Sequence, residues 1–516
     1  MEGEGLSGAN EILAGMLRKG AMLWSQDGRL HYKAPKGALS HQELAALRDY
    51  KSQILQLLPL DTGEPQPRYV PLSFSQLAHW NTYRLSERAS VRGVVLALRL
   101  RGLLDLDLLR SGFEQLVRAH AAFRTRIVVE NGVPVQRIDY ASRCDWTIEP
   151  IDTPSPSERE IAKRIDRFVL TPIHVERDPL CSVRIFRLSD VEHVAVLGME
   201  HMISDGASLA VISREWLTGY ASAKSGQAGN VHSRPRPQFA DHANWQRTAN
   251  LAQIERESAY WCRRLDGCPV FEFPRDKVAE TPARPGWAGV PIHISKLLKT
   301  ELYDWCRAQR TTLAIGVLTA YIAFVVRWCD QPEGVVLYET AGRFARDAQD
   351  GVGYFAFPLY LRVRLEAHTR FVDALKSVSG AYFEAYEHLD YGCSIARVPQ
   401  PHFARSTLFN WQPLDNSDDD SIDTLRAAGI ESTPVEFDHP ILRILELEWE
   451  PGIVLKETTE GIQGHVYFPR HSFSAELMRG FSEGFLEFLG LLLRRPEARV
   501  PSVSRKALST SSAQKD

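Results

Sequence analysis

EHVAVLGMEHMISDGASLAVISREWL, residues 192–217, carries the reading of the fold. The apolar run ending at Met199 reads as a strand that delivers Glu200 and His201 to its C-terminal end, and Asp205-Gly206 opens a helix. Upstream the same alternation repeats: a helix near 75–86, a strand over 93–102, a helix over 106–123, and strands over 124–132 and 181–189. Alternating helices and strands argue for an α/β lobe, a sheet covered by helices. A second lobe follows, with a helix over 250–265, a strand at 289–296, a buried helix at 313–328, strands at 333–342 and 357–365, and a helix at 370–387. Strands at 444–452 and 461–469 and a helix at 474–495 close it. The acidic stretch 414–423 reads as a solvated loop and the Ser, Gly and Pro rich stretch 222–238 as a mobile connection.

Residues 9–58 stand apart. NEILAGMLRKG has apolar residues at helical spacing and a Gly stop, AMLWSQDGRLHYK is a hairpin around Asp27-Gly28, and SHQELAALRDYKSQILQLL is one amphipathic helix opened by a Ser40–Glu43 capping box. The expected organisation is a small unit over 1–58, a linker over 59–70, lobes over 71–240 and 241–505, and a disordered tail over 506–516.

The formal net charge is -3 and the pI about 6.6, so no global basic field recruits nucleic acid or an anionic membrane. The seven cysteines are scattered and lack metal-ligand spacing, which reads as reduced thiols in a cytoplasmic protein without a metal. The N-terminus lacks the order of a signal peptide. The apolar run 313–326 is shorter than the roughly 20 residues of a bilayer span and meets Arg327. A monomer is the expected state.

His201, at a strand end before a Gly-permitted turn, is where a rigidly held imidazole can meet a substrate. Imidazole titrates near neutrality, so it can take a proton from an amine or hydroxyl attacking a thioester, a role that contributes about 10²- to 10⁴-fold. Asp205 either orients that ring or binds an arginine elsewhere and fixes the loop. Judged on these residues alone, a structural histidine beside a helix cap is the stronger reading.

The company it keeps changes that. Glu200, His201, Asp205 and Gly206 lie on a His-His-x-x-x-Asp-Gly pattern. PLSFSQLAHW (71–80), RAHAAFRTRI (118–127), FADHANWQ with YWCRRLDG, TAGR leading to GVGYFAFPLYLRVRL, and HLDYG (388–392) follow in order. With these segments the chain resembles the condensation domains of nonribosomal peptide synthetases from about 70 to 505. The resemblance implies a mixed α/β fold of two chloramphenicol-acetyltransferase-like lobes in a V, with His201 as the catalytic group midway along a tunnel. A carrier protein, acyl or peptidyl, would present an acyl thioester on its phosphopantetheine arm, and the chain would need no cofactor of its own. The resemblance makes Asp205 structural, with Arg343 of AGR as its arginine; Gly206 leaves room beside the thioester carbonyl, and Ser208 lines the channel.

There are departures. Glu200 replaces the first histidine, and a carboxylate facing the His201 ring would raise its pKa. Phe357, expected with Ser208 along the substrate channel, stands where an Asn is usual, which bears on substrate preference. Glu200, Asp205 and Ser208 echo the cyclisation pattern Asp-x4-Asp-x2-Ser, but His201 with Gly206 argues against it. Plant and fungal acyltransferases with His-x-x-x-Asp carry an Asp-Phe-Gly-Trp-Gly string that does not occur here.

Residues 9–58 resemble a β-hairpin docking domain found at the N-termini of synthetase subunits. A hairpin edge offers unpaired backbone to an added strand, and Arg29, Lys33 and Lys36 supply positive charge for the acidic tail of a carrier partner. With neither an adenylation domain nor a carrier attachment segment in the sequence, the expectation is an acyltransferase acting in trans, forming an amide or ester in chain release. The competing reading is a catalytically silent module that recruits carrier proteins, which Glu200 keeps open.

Overall fold

The computed structural model describes residues 12, 22–26, 29–33, 39–57, 67–85, 90–140, 144–151, 156–226, 238–248, 251–277, 286–343, 348–388, 406–414, 418–435 and 450–501. Most of the N-terminal helix expected over 9–19, the Asp27-Gly28 turn, Lys36, residues 59–66 of the linker, 227–237, 389–392, the strand expected from 444 and the tail 506–516 lie outside the described residues.

Strands β1 (Met22–Gln26) and β2 (Arg29–Lys33) pair antiparallel with Gln26 opposite Arg29, the register of a two-residue hairpin loop. The helix behind them is interrupted: α1 (His41–Asp49) and α2 (Lys51–Leu57) are separated at Tyr50, whose φ of -97° and ψ of 14° leave the helical range. The capping box is present, with Ser40 N donating to Glu43 Oε2 at 2.8 Å and Glu43 N to Ser40 Oγ at 3.3 Å. Leu47 and Ile54 are buried.

The first lobe begins inside the expected linker. β3 (Arg68–Pro71) pairs with β6 (Val133–Ile138), which pairs with β5 (Thr125–Glu130) in a three-stranded sheet. An edge strand tolerates Pro71, because only one side of its backbone is in the ladder. α3 (Phe74–Leu85), β4 (Val94–Arg101), α4 (Leu106–Ala119), β7 (Asp145–Pro150), α5 (Glu158–Val169), β8 (Cys181–Arg187), β9 (Glu192–Met199) and α6 (Gly206–Lys224) complete its chain path. β4, β9, β8 and β7 form one sheet, with β9 fully flanked and buried almost throughout. α6 lies against α4, where Trp216 Nε1 donates to the Leu109 carbonyl at 2.9 Å.

α7 (Phe239–Thr248) packs on β3, so the expected lobe boundary at 240 falls within a helix of the first lobe. α8 (Leu251–Leu265), β10 (Trp287–Ser295), α9 (Lys296–Ala308), α10 (Leu313–Cys329), β11 (Glu333–Thr340), β12 (Phe357–Arg364), α11 (Phe371–Glu387) and β13 (Thr407–Gln412) build the second lobe. α10, buried along nearly its whole length, is the centre of that core.

The stretch expected as an acidic loop is in part a helix. α12 (Asp418–Ala427) packs on α6, and β14 (Glu431–Pro434) joins the edge of β4 in the first lobe. Leu425 and Ile430 fill the first core, and the added strand covers an edge that would otherwise present unpaired backbone. Residues 418–435 therefore belong by packing to the first lobe, although they fall within 241–505. The chain returns through β15 (Gly452–Thr458), β16 (Gly461–Pro469) and α13 (Ala475–Arg494). The second sheet runs β10-β16-β15-β13-β11-β12, with parallel pairing only where β13 meets β11 and β15. Among the described residues, no single helix is long and apolar enough to cross a membrane.

Candidate active site

Beyond Met199 the backbone of β9 enters a single 3₁₀ turn, His201–Ile203, with Glu200 as its N-cap; Asp205 then caps α6. Two acidic side chains thus stop and restart the chain around His201, because each carboxylate accepts N–H groups that a helix start leaves free. Glu200 Oε2 accepts from Met202 N, and Ser208 N donates to Asp205 Oδ1 at 2.8 Å.

Asp205 does not bond the His201 ring. Its Oδ2 accepts from Arg343 Nη1 at 2.8 Å and from the Phe355 and Ala356 backbone N–H groups at 3.0 Å each, and its Oδ1 accepts from Arg343 Nη2 at 2.7 Å. The carboxylate and guanidinium are only 1% and 7% exposed. A buried pair of this kind is tolerable because its hydrogen bonds leave little polar surface unmatched. Arg343 is aimed by Gly342, whose φ is +63°; a Cβ there would meet the Phe355 carbonyl oxygen at 1.7 Å, so only glycine fits. The ion pair joins the helix start in the first lobe to the segment between β11 and β12.

Ser208, expected along the channel, faces the cap of α6. It is 0% exposed, and its hydroxyl donates to Asp205 Oδ1 (2.7 Å) and faces the Gly353 carbonyl (3.1 Å), while Arg343 Nη2 (3.0 Å) and Gly353 N (3.2 Å) point at it. As the third residue of α6 it completes the cap, which turns it inward. Phe357 is 4% exposed, begins β12 opposite Thr340 and packs in the second core. The backbone alternation of the strand puts it there. Gly206 is exposed, with open space where its Cβ would stand.

Glu200 turns away from His201. Its Oε1 meets His79 Nε2 at 2.9 Å and accepts from Ser90 Oγ at 2.9 Å. Burial opposes the Glu200 charge, but the His79 cation and the donated hydrogen bonds outweigh it and hold the carboxyl below its ordinary range. Burial likewise opposes the His79 charge, and Glu200 outweighs it, raising His79. His201 moves the other way: burial first, then the His79 charge, lower its pKa against the pull of Glu200, Glu339 and Asp205. The expected upward pull of Glu200 on His201 is present but outweighed. The His201 ring is half-buried, and its Nδ1 has no hydrogen-bond partner. An imidazole held neutral in this way is a proton acceptor at neutral pH.

Two neighbours were not legible as site residues. Tyr354 sets its ring 4.4 Å from that of His201, tilted by 57°, and His79 stands 6.0 Å from His201. Burial, with the nearby Glu339, Glu200 and Asp205 carboxylates, pushes the Tyr354 phenol up, so it stays a neutral donor. Only the position of His79 beside Gln76 in PLSFSQLAHW offered a signal, since residues three apart share a helix face. In the docking region Arg29 is exposed, and Lys33 ends β2. A cavity of about 310 Å³ elsewhere, lined by Arg264, Glu333, Arg362, Arg364 and Lys376, does not reach His201.

The mixed sheets and the site at their junction define a chloramphenicol-acetyltransferase-like fold. Residues 66–515 match the model of the Condensation domain, and the chain belongs to that family, whose members in synthetases form C–N bonds by acyl transfer. Residues 10–59 match the TubC N-terminal docking domain. Bacitracin synthase 2 of Bacillus licheniformis is 22% identical over 481 residues, which are 91% of this chain and 18% of that protein. Isonitrile lipopeptide synthase of Mycobacterium tuberculosis is 26% identical over 455 residues, 85% of this chain and 18% of that protein. The chain thus spans less than a fifth of these relatives' lengths. Among solved structures, the X-domain from teicoplanin biosynthesis superposes with a TM-score of 0.71 at 21% identity, covering 86% of this chain and 100% of that one. The condensation domain of the monacolin K polyketide synthase gives 0.69 at 17% identity, covering 84% and 100%.

Proposed function

We propose that this chain transfers an acyl group from a carrier-protein thioester to an amine or alcohol, working in trans and releasing a finished chain. The observation that carries this reading is His201: a half-buried imidazole at a lobe junction, its pKa held down chiefly by burial, beside the open space at Gly206. In the transfer, the acceptor N–H or O–H attacks the thioester carbonyl, a C–N or C–O bond forms, the C–S bond breaks and the phosphopantetheine thiol leaves. His201 takes the acceptor's proton as the bond forms or orients the nucleophile, and the proton is returned to the departing sulfur. The Asp205–Arg343 pair keeps the loop in register and does no chemistry. The docking region would capture an acidic segment at the C-terminus of the carrier's own chain by strand addition to the hairpin, with Arg29, Lys33 and Lys36 matching its charge.

The test loads an acyl group on a carrier protein and follows transfer to a panel of amines and alcohols by intact-mass spectrometry. Transfer by the wild type that collapses in His201→Ala supports the reading. Carrier binding without transfer to any acceptor would establish the silent recruitment module instead.

A further inference from the structure

His79 lies outside the strand–helix unit that presents His201, yet the fold brings it to the same place. Gln76, one turn earlier on α3, donates through Nε2 to the Met202 carbonyl at 2.8 Å and thereby fastens that helix to the 3₁₀ turn carrying His201. His79, three residues on, shares the face, and its Nε2 reaches the fully buried Glu200 at 2.9 Å. Ser90 Oγ and Met202 N also point at that carboxylate, so its position is set from three sides. Tyr354, from the second lobe, touches both imidazoles, edge-on to His79 at 6.0 Å and tilted against His201 at 4.4 Å. Three rings, on a helix, a turn and a loop, therefore form one cluster with a carboxylate behind one corner.

We propose that His79 is a positioning residue for acyl transfer: clamped by Glu200, it holds an imidazolium–carboxylate pair beside the His201 ring, and Tyr354 packs against both imidazoles. The inference rests on the acyl-transfer reading of His201. Its chemical sense follows from the charges around that ring. Glu200 and Asp205 on its own segment and Glu339 from β11 all favour a protonated His201, and His79 is the cation that opposes them. Arg343 already offsets Asp205, so without the His79 cation Glu200 and Glu339 would draw a proton onto the base, leaving it less able to take the acceptor's proton. The His79 charge thus adds to burial in keeping His201 neutral, and an imidazole donated by α3 makes a glutamate at position 200 compatible with a working base.

The experiment compares the full-length wild type with His79→Gln, whose amide can still donate to Glu200 but carries no charge. Two quantities are followed across the imidazole range: the pH profile of kcat/KM on the acyl-loaded carrier, and the ring-proton NMR titration of His201 with selectively labelled histidine. The expected result is that the acidic limb and the NMR midpoint both move to higher pH, by about one unit, a roughly tenfold loss of rate on the acidic side. The NMR titration needs no turnover, so it decides the role of His79 even if the acyl-transfer reading fails. His79→Leu, which also removes the hydrogen bond, should shift in the same direction, and it serves if the glutamine variant does not fold. Profiles and midpoints that superimpose on the wild type would overturn the proposal, because a merely structural contact is one that glutamine restores.

Discussion

Asp205 and Arg343, 138 positions apart in sequence, close a two-contact ion pair with Nη–Oδ distances of 2.8 and 2.7 Å, and the same carboxylate accepts the Phe355 and Ala356 amides. One side chain thereby caps a helix of the first lobe and pins a loop of the second. Fixing that loop places Tyr354 over His201, so the geometry of the base depends on a contact that never touches it.

Arg343→Ala leaves a buried, uncompensated carboxylate. Loss of about 3–5 kcal/mol is expected in denaturant unfolding, with a similar loss for Asp205→Ala. The double variant should fall well short of the sum, because either change alone breaks the same interaction. Additive losses would show that the pair does not couple the lobes.

Ser208→Ala should destabilise by about 1–3 kcal/mol, since Gly353 N–H and one Arg343 nitrogen lose an acceptor. Phe357→Ala should cost about 3–5 kcal/mol through the cavity it leaves in the second core. Neither should alter the ranking of acyl donors in a competition assay. A changed ranking in the surviving protein would return these residues to the channel wall.

His201→Ala should lower transfer by about 10²- to 10⁴-fold with an unfolding midpoint close to that of the wild type. Turnover within a few-fold of the wild type would remove His201 as the proton acceptor.

The Glu200–His79 pair predicts a pH window in stability. His79 is raised above its ordinary 6.5 in the folded state, so its share is complete below 6.5 and is lost as pH rises through the raised value. Glu200 is lowered below its ordinary 4.5, so its share is complete above 4.5 and is lost as pH falls through the lowered value. The stability difference between wild type and Glu200→Gln should therefore be greatest between pH 4.5 and 6.5. A difference that stays constant across pH, measured by urea unfolding, would mean that no ion pair exists there.

Removing residues 1–58 should raise the carrier concentration needed for half-maximal transfer and leave the saturated rate unchanged, because a docking unit acts through effective concentration. Equal dependence on carrier with and without the segment would count against docking.

Strands 94–101, 181–187 and 192–199 and the helices at 106, 206, 313 and 475 were legible because each carries its burial pattern within a single run of residues. The segment 418–435 was not: an acidic run says only that a surface is solvated, and whether it is a loop or a helix reaching back to another lobe depends on Leu425 and Ile430 finding a distant core. The linker hid a strand for the same reason, since β3 exists only because β6 offers it an edge.

The amino-acid order by itself determined which chemical groups are available: an imidazole at a strand end, a carboxylate capping the next helix, a glycine before an arginine. Those choices are local, set by capping, periodicity and allowed backbone angles. Which groups meet was decided only in three dimensions. Glu200 faces His79 rather than His201, Ser208 and Phe357 turn inward, and Tyr354 arrives from the other lobe, because partners far apart in sequence compete for the same few ångströms and the best-satisfied buried arrangement wins.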